Sequence, residues 1–171
     1  MGDGMNWRKT IRVVMVVACL GGAGAGWASG QPQPWGGRVT HVTDGDTLWV
    51  QPTRGGRPRQ IRLDGIDAPE ICQAYGAAAR DRLTQQVMGR PVRVVPRRHD
   101  DYGRLLARVD LQGQDMGRWM VLNGHAWSHR YRRLPGLYAK QEARARGRHL
   151  GLWRLPAERP RQFRQRHGPC H

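Results

Sequence analysis

A cluster of carboxylates lies in a short stretch of an otherwise strongly basic chain. The 171-residue sequence has 29 Lys and Arg residues against 13 Asp and Glu residues, and a formal net charge of +16. Carboxylates that lie close together repel one another unless a cation sits among them, and the natural occupants are a divalent metal ion and neighbouring arginines. An acidic pocket in a basic protein is the charge layout of a metal-assisted enzyme that acts on a polyanion. The clustered acids, in the segments VTDGDTLWV and IRLDGIDAPE, are Asp44, Asp46, Asp64, Asp67 and Glu70.

Three motifs carry this potential chemistry, and each has a plain structural explanation when taken alone. Residues 44–45 (DG) form a common hairpin turn. Residues 67–70 (DAPE) end a strand with an extended step before proline. Residues 101–104 (DYGR) are a turn that opens a strand. Because all three occur together, with acids and arginines in each neighbourhood, unrelated turns are a poor explanation of the whole set.

The elements that must position these motifs can be read from apolar periodicity and from glycine and proline breaks. The predicted strands are residues 38–43, 47–51, 59–63, 92–95 and 104–111. The predicted helices are residues 74–88, 115–122 and 134–146. Three strands, a helix, two strands and then helices is the element order of the OB-fold. We therefore expect an α+β, mainly β, protein: a five-stranded Greek-key barrel with about three packed helices.

The three motifs, in this order and spacing, resemble those of the staphylococcal nuclease (thermonuclease) family. The resemblance runs from about Val39 to Trp153 and includes a helix followed by a Gly-Leu-Trp step at residues 151–153. It implies an OB-fold and a calcium-dependent nuclease. It also implies that DNA and RNA are hydrolysed with low sequence specificity, and that the products carry 3′-phosphate ends.

The resemblance further implies how the site holds its metal. Asp46 and Asp67 match the two metal-ligating carboxylates, and Asp44 matches an acid that holds the metal's waters. The residue after the second carboxylate supplies a backbone carbonyl ligand in the family, and here it is Ala68, where the best-known member has threonine. The carbonyl ligand survives this change, whereas any side-chain contact does not. Calcium takes roughly 6–8 oxygen ligands, so waters and a substrate phosphate must complete the shell.

The remaining site residues also come from the resemblance. Glu70 matches the general base that activates the attacking water. Arg62 and Arg104 match the guanidinium groups that hold the cleaved phosphate, a task that suits a planar, bidentate fork better than a lysine. Tyr102 matches a tyrosine that lines the nucleotide pocket, and Tyr131 is a candidate for a second one.

Two other interpretations fit parts of the sequence. A non-catalytic OB-fold module that binds single-stranded nucleic acid would keep the arginines and aromatic residues, but has no need of Asp46, Asp67 and Glu70 together. A surface-attached basic protein with a vestigial site is the second alternative. Because only two of the 29 basic residues are lysines, a GC-rich genome also accounts for part of the arginine content.

The N-terminus has the features of an export signal. Three basic residues, an apolar run over residues 13–20 and the small-x-small pattern of residues 26–28 predict cleavage near Ala28. The apolar run is too short for a transmembrane helix. We therefore expect a periplasmic or secreted protein. As an alternative, residues 16–19 (VVAC) resemble a lipobox, which would make Cys19 a lipid-anchored N-terminus.

The cysteines agree with export and complete the domain plan. Cys72 and Cys170 remain after signal removal, and in an oxidising compartment such a pair is expected to form a disulfide, the alternative being two free thiols. A bridge would hold the basic tail against the start of the first helix. We expect a monomer without an obligate protein partner. The predicted segments are an export signal (1–28), a Pro/Gly lead-in (29–37), the nuclease-like OB-fold domain (38–154) and a basic tail (155–171).

Overall fold

The computed structural model describes residues 1–2, 33–132, 134–154, 156–168 and 170. The predicted export signal, including Cys19, lies outside these residues except for its first two positions. The strands are β1 Trp35–Val42, β2 Thr47–Pro52, β3 Arg59–Leu63, β4 Ile66–Asp67, β5 Pro91–His99, β6 Leu105–Leu111, β7 Gln114–Asp115 and β8 Trp127–Ser128. The helices are α1 Gly76–Val87, α2 Met116–Leu122, α3 Ala139–Gly147 and α4 Pro160–His167, with a 3-10 turn at Gly151–Arg154.

Five of the strands close into a barrel, which confirms the predicted OB-fold. The sheet order is β3-β2-β1-β5-β6-β7, and the antiparallel neighbours β1, β2, β3, β5 and β6 form the barrel. A parallel pairing of β3 with β6 closes it, aligning Ile61 with Leu105 and Arg62 with Leu106. The short strands β4 and β8 pair separately. Closure removes the open edges that an unpaired sheet would expose.

The core lies inside the barrel and beneath α1 and α2. In β3, Ile61 and Leu63 are buried while Arg62 between them reaches the other face, because side chains alternate along a strand. In β6 the buried positions are Ala107, Val109 and Leu111. Leu83 of α1 and Met120 of α2 are also buried in this core. Alternation along the strands therefore decides which side chains are available to a surface site.

Two neighbouring strands of the sheet, β1 and β5, extend beyond their predicted bounds. β1 begins at Trp35, so the end of the predicted lead-in is a strand, with Trp35 opposite Val94 of β5. β5 continues to His99 although its predicted end was Val95. Pro96 cannot donate a ladder hydrogen bond, and the strand passes it by a register shift between Pro96 and Arg98. Pairing with a neighbouring strand thus overrides the local breaker.

The helical prediction needs two corrections. α3 begins at Ala139 and not at residue 134, because Pro135 and Gly136 interrupt the run that apolar spacing alone had favoured. A fourth helix, α4, lies in the segment predicted as a basic tail. It begins with a proline at its first position, which suits a helix start. Its own apolar content is too small to have indicated a packed helix.

A disulfide joins Cys72 to Cys170, 98 positions apart in the sequence, and confirms the predicted pairing. It connects the loop after β4 to the residues after α4. Among the residues that the structure describes, no helix is long and apolar enough to cross a membrane.

Candidate active site

The acidic turn between β1 and β2 packs tightly against the rest of the domain. The backbone N–H of Thr43 donates to the Thr47 carbonyl at 2.9 Å and closes this turn. A Cβ atom at Gly45 would lie 2.7 Å from the Cβ of Ala68 and 2.9 Å from the Cβ of Ala79. Glycine at position 45 therefore allows close approach to the DAPE segment and to α1. This close packing, and not a left-handed backbone conformation, explains why position 45 is a glycine.

Asp46 is held in a fixed position by hydrogen bonds to both carboxylate oxygens. The Thr47 hydroxyl donates to Oδ1 at 3.0 Å, and the backbone N–H of Ala68 donates to Oδ2 at 2.9 Å. Arg62 donates to Oδ1 at 2.5 Å. The last contact follows from the sheet register, since Thr47 of β2 lies opposite Arg62 of β3. Asp46 is only 3% exposed, so these bonds replace water that the carboxylate loses on folding.

Arg62 links two carboxylates from different segments. Its Nη2 donates to Oδ1 of Asp67 at 3.1 Å while its Nη1 contacts Asp46. The negative charge of Asp46, followed by that of Asp67, raises the pKa of the Arg62 guanidinium despite its burial. Arg62 is therefore one of the arginines that the sequence predicted to lie among the clustered carboxylates.

One arginine does not neutralise all of this acidic charge. Burial and the neighbouring Asp46 raise the pKa of Asp44 to about 7, and the same two causes raise the pKa of Asp67. The residues therefore fit a hard divalent cation, which prefers carboxylate and carbonyl oxygens. Within the described ranges, no group of three or more His, Cys, Asp or Glu side chains has the arrangement of a metal site. A metal ion here must therefore also use backbone, water or substrate oxygens.

Glu70 lies in the loop between β4 and α1 and is held by its backbone. Its N–H donates to Oε1 of Gln73 at 3.2 Å, and its carbonyl accepts the N–H of Gln73 at 2.9 Å. A Cβ at Gly76 would lie 1.8 Å from the Glu70 carbonyl oxygen, so glycine is required where α1 begins. The Glu70 carboxylate forms an ion pair with Arg164 of α4.

Arg104 is oriented by an acid four residues earlier. Its Nε and backbone N–H donate to the two carboxylate oxygens of Asp100, each at 2.8 Å. The guanidinium lies 5.4 Å from the centre of the Tyr102 ring. The parallel pairing of β3 with β6 aligns Arg62 with Leu106, two positions beyond Arg104, so both arginines face the same side of the barrel.

These groups meet in a cleft of about 480 Å³. Its lining residues are Asp44, Asp46, Arg62, Ala68, Pro69, Glu70, Tyr102, Arg104 and Arg164. The cleft therefore brings together nearly all of the site residues predicted from sequence, with Asp67 joined to it through Arg62. Tyr102 is largely exposed at the cleft. Tyr131 is exposed beside Arg132 and is not among the lining residues, so its role stays a prediction.

Sequence reasoning missed three contributors to this cleft: Asp100, Gln73 and Arg164. Asp100 could have been found, since an acid and an arginine bracket the turn at residues 101–103. The buried Gln73 gave no signal, because a glutamine at the start of a helix is unremarkable in sequence. Arg164 was signalled only indirectly, through the predicted bridge between the tail and the loop after Glu70.

Comparison with known proteins agrees with this geometry. A family model described as "Staphylococcal nuclease homologue" matches residues 60–155, more than half of the chain. The chain belongs to this family. The nuclease is therefore an enzyme that hydrolyses nucleic acid, which favours catalysis over the non-catalytic binding module, and nucleases of this family are metal-dependent in general.

The alignments with individual relatives extend over most of the nuclease. It is 36% identical over 141 residues to a micrococcal nuclease of Shigella flexneri, covering 75% of this chain and 80% of that protein. It is 34% identical over 157 residues to Protein ParB of Escherichia coli, covering 85% of each. An uncharacterized endonuclease of Haemophilus influenzae is 35% identical over 116 residues, which are 68% of this chain but 65% of that protein, slightly under two thirds.

Proposed function

We propose that this nuclease uses calcium to hydrolyse the phosphodiester bonds of both DNA and RNA, with low sequence specificity and 3′-phosphate products. The observation that carries the proposal is the single cleft lined by Asp44, Asp46, Glu70, Arg62 and Arg104. Paired carboxylates suit a hard cation, and paired guanidinium groups suit a phosphate. Low specificity follows because phosphate contacts carry no sequence information.

The proposed metal ligands are Asp46, Asp67 and the Ala68 carbonyl, with Asp44 holding metal-bound water. The raised pKa values of Asp44 and Asp67 support this assignment, because a cation would relieve the repulsion that causes them. Asp46 retains acceptor capacity, since its Oδ2 takes only the Ala68 N–H among the described contacts. Calcium, when bound, supplies positive charge beside the phosphate oxygens.

Glu70 is proposed to accept a proton from the water that attacks phosphorus in line with the departing 5′-oxygen. Arg62 and Arg104 donate hydrogen bonds to the equatorial oxygens, on which negative charge grows. Asp100 fixes the orientation of the Arg104 guanidinium before substrate arrives, so little reorganisation is needed during the reaction. Tyr102 offers an aromatic face on which a base can stack, and Tyr131 remains a second candidate.

Digestion of plasmid DNA, single-stranded DNA and RNA, with calcium or with chelator, tests this proposal. We expect cleavage only with calcium, and about 10²–10⁴-fold slower cleavage by Glu70→Gln, with nucleic-acid binding retained. Asp81→Asn is the control, because Asp81 is an exposed acid on α1. Equal digestion by wild type and Glu70→Gln would refute the role of Glu70. Full activity in chelator would refute metal dependence, and 5′-phosphate ends would refute the proposed leaving group.

We also propose that the nuclease is exported to the periplasm or medium. The Cys72–Cys170 disulfide supports this, because such bonds persist in oxidising compartments. Mass spectrometry of the native protein tests it. A mature chain that starts near residue 29 with its disulfide intact is expected; a lipid on Cys19 would indicate an anchored form, and an intact N-terminus would contradict export.

A further inference from the structure

α4 contributes to the cleft although it lies beyond the residues that match the family model. That match ends at residue 155, whereas α4 spans Pro160–His167. Arg164, near the middle of α4, lines the cleft together with Arg62 and Arg104, and forms an ion pair with Glu70. The active-site assignment made from the family resemblance therefore leaves Arg164 without a role.

Two connections fix α4 to the loop that carries Glu70. After the helix, the Cys170 disulfide reaches Cys72, two positions beyond Glu70. Before the helix, Nε2 of Gln73 donates to the Glu158 carbonyl at 2.6 Å, while Oε1 of the same side chain accepts the Glu70 N–H. Because both anchors lie close to Glu70, one before α4 and one after it in the chain, the helix is held at the cleft at both of its ends.

The charge of α4 suits a polyanion. Its sequence PRQFRQRH has three arginines and no acid. Among the described contacts, Arg164 directs one N–H group to Glu70, whereas a guanidinium has five N–H donors. Its side chain is 43% exposed, so donors remain available to a ligand in the cleft. Three guanidinium groups line the cleft, one more than the two assigned to the cleaved phosphate.

We propose that Arg164 is an additional substrate-binding residue, which contacts a phosphate adjacent to the cleaved one from the disulfide-anchored arm α4. The inference rests on the proposed function. As the strand enters, the Arg164 guanidinium exchanges the Glu70 carboxylate for phosphate oxygens, with which arginine forms bidentate bonds. The exchange leaves Glu70 free to contact water. A flanking contact is equally strong before and during cleavage, so it lowers KM and leaves kcat nearly unchanged.

Binding and cleavage by Arg164→Ala test the inference. Binding of a short fluorescein-labelled single-stranded DNA is measured by anisotropy in chelator over a range of salt concentrations, and cleavage is measured with calcium. We expect Kd and KM to rise roughly tenfold with little change in kcat, and the salt slope to fall by about 0.7, the value for one phosphate contact to a single strand. Arg161→Ala, at an exposed position of the same helix, is the matched control and should change much less.

Removal of the anchor provides a second readout. The double variant Cys72→Ser/Cys170→Ser should weaken DNA binding in the same direction, and adding Arg164→Ala to it should cost little more, because both act through one arm. Thermal unfolding of each variant confirms that it is folded at the assay temperature.

Several results would overturn the inference. Faster cleavage by Arg164→Ala with unchanged or tighter binding would make α4 an inhibitory element. An unchanged Kd and salt slope would reduce the Arg164–Glu70 pair to a structural contact. If wild type did not cleave with calcium, the proposed function would fail separately, and the binding measured in chelator would still decide the role of Arg164.

Discussion

The two sides of the cleft are built by different physical means. The barrel side is formed by Asp46, directly before β2, and Arg62 of β3, and is stabilised by the register of these two strands. The loop side, formed by Glu70 and Arg164, depends on a disulfide and on the side chain of Gln73. Side-chain exposure reflects this difference: 4% and 18% on the barrel side against 25% and 43% on the loop side.

This difference separates two requirements of the site. The proposed metal ligands must keep fixed distances from one another, and at Asp46 the packed barrel provides that rigidity. Glu70, the proposed proton acceptor, must meet a substrate that enters and leaves, and a more exposed loop allows this. A small domain can hold such a loop in place with a covalent bond where the core does not reach. The predictions below separate the two sides, from the largest expected effect to the smallest.

Arg62→Ala should disrupt the barrel side most severely. The buried Asp46 and the partly buried Asp67 lose their common partner, so we expect the free energy of unfolding to fall by about 3–5 kcal/mol. Loss of the phosphate-binding donor proposed at this position should also slow cleavage by about 10²–10³-fold. Chemical denaturation and kinetic assays measure the two effects.

Arg104→Ala is the matched comparison for Arg62→Ala. Its ion pair with Asp100 is more exposed, so we expect a stability loss of at most about 1 kcal/mol together with a similar loss of rate. Equal stability losses at the two arginines would contradict the division between a packed barrel side and a more open surface.

Loss of the disulfide should affect the loop side and spare the barrel side. The bridge connects residues 98 positions apart, and chain entropy gives about 4–5 kcal/mol as an upper limit for a loop of that size. We expect Cys72→Ser/Cys170→Ser to lower the free energy of unfolding by about 2–4 kcal/mol. The proposed calcium binding, measured by calorimetry, should change little. A large loss of calcium affinity would mean that the two sides are not independent.

Acid should lower the free energy of unfolding through His125, which lies beside the start of α1. The Tyr75 hydroxyl, next to the start of α1, is 2.8 Å from Nδ1 of His125, and burial, with a smaller effect of the Arg82 charge, lowers the pKa of His125 to about 4. The unfolded chain, with an ordinary histidine pKa near 6.5, binds a proton that the folded chain does not. The stabilising contribution is therefore fully present above pH 6.5 and is lost as pH falls toward 4.

His125→Asn tests this pH dependence. Between neutral pH and about pH 5, we expect its free energy of unfolding to decline by roughly 2 kcal/mol less than that of wild type. Denaturation curves at several pH values measure the difference. A variant whose stability declines as steeply as that of wild type would show that His125 is not the group responsible.

The sequence by itself determined the barrel and most of the site's composition. Alternation in β3 and β6 placed Ile61 and Ala107 in the core and left Arg62 and Arg104 for the surface, because side chains on a strand point alternately to its two faces. The cysteine pair and the acidic motifs were likewise visible as residue types at particular spacings. These features depend on local geometry, which neighbouring residues specify.

Only the tertiary structure decided which distant groups meet. The parallel pairing of β3 with β6 brings Arg62 and Arg104 to the same side of the barrel, and no local pattern encodes that register. Strand pairing carried β5 past Pro96, and packing against the loop after β4 gave α4 a place that its polar sequence does not indicate. The contact between Arg164 and Glu70 joins residues 94 positions apart. Such contacts depend on the free energy of the whole packed domain, so they become visible only when the chain is folded.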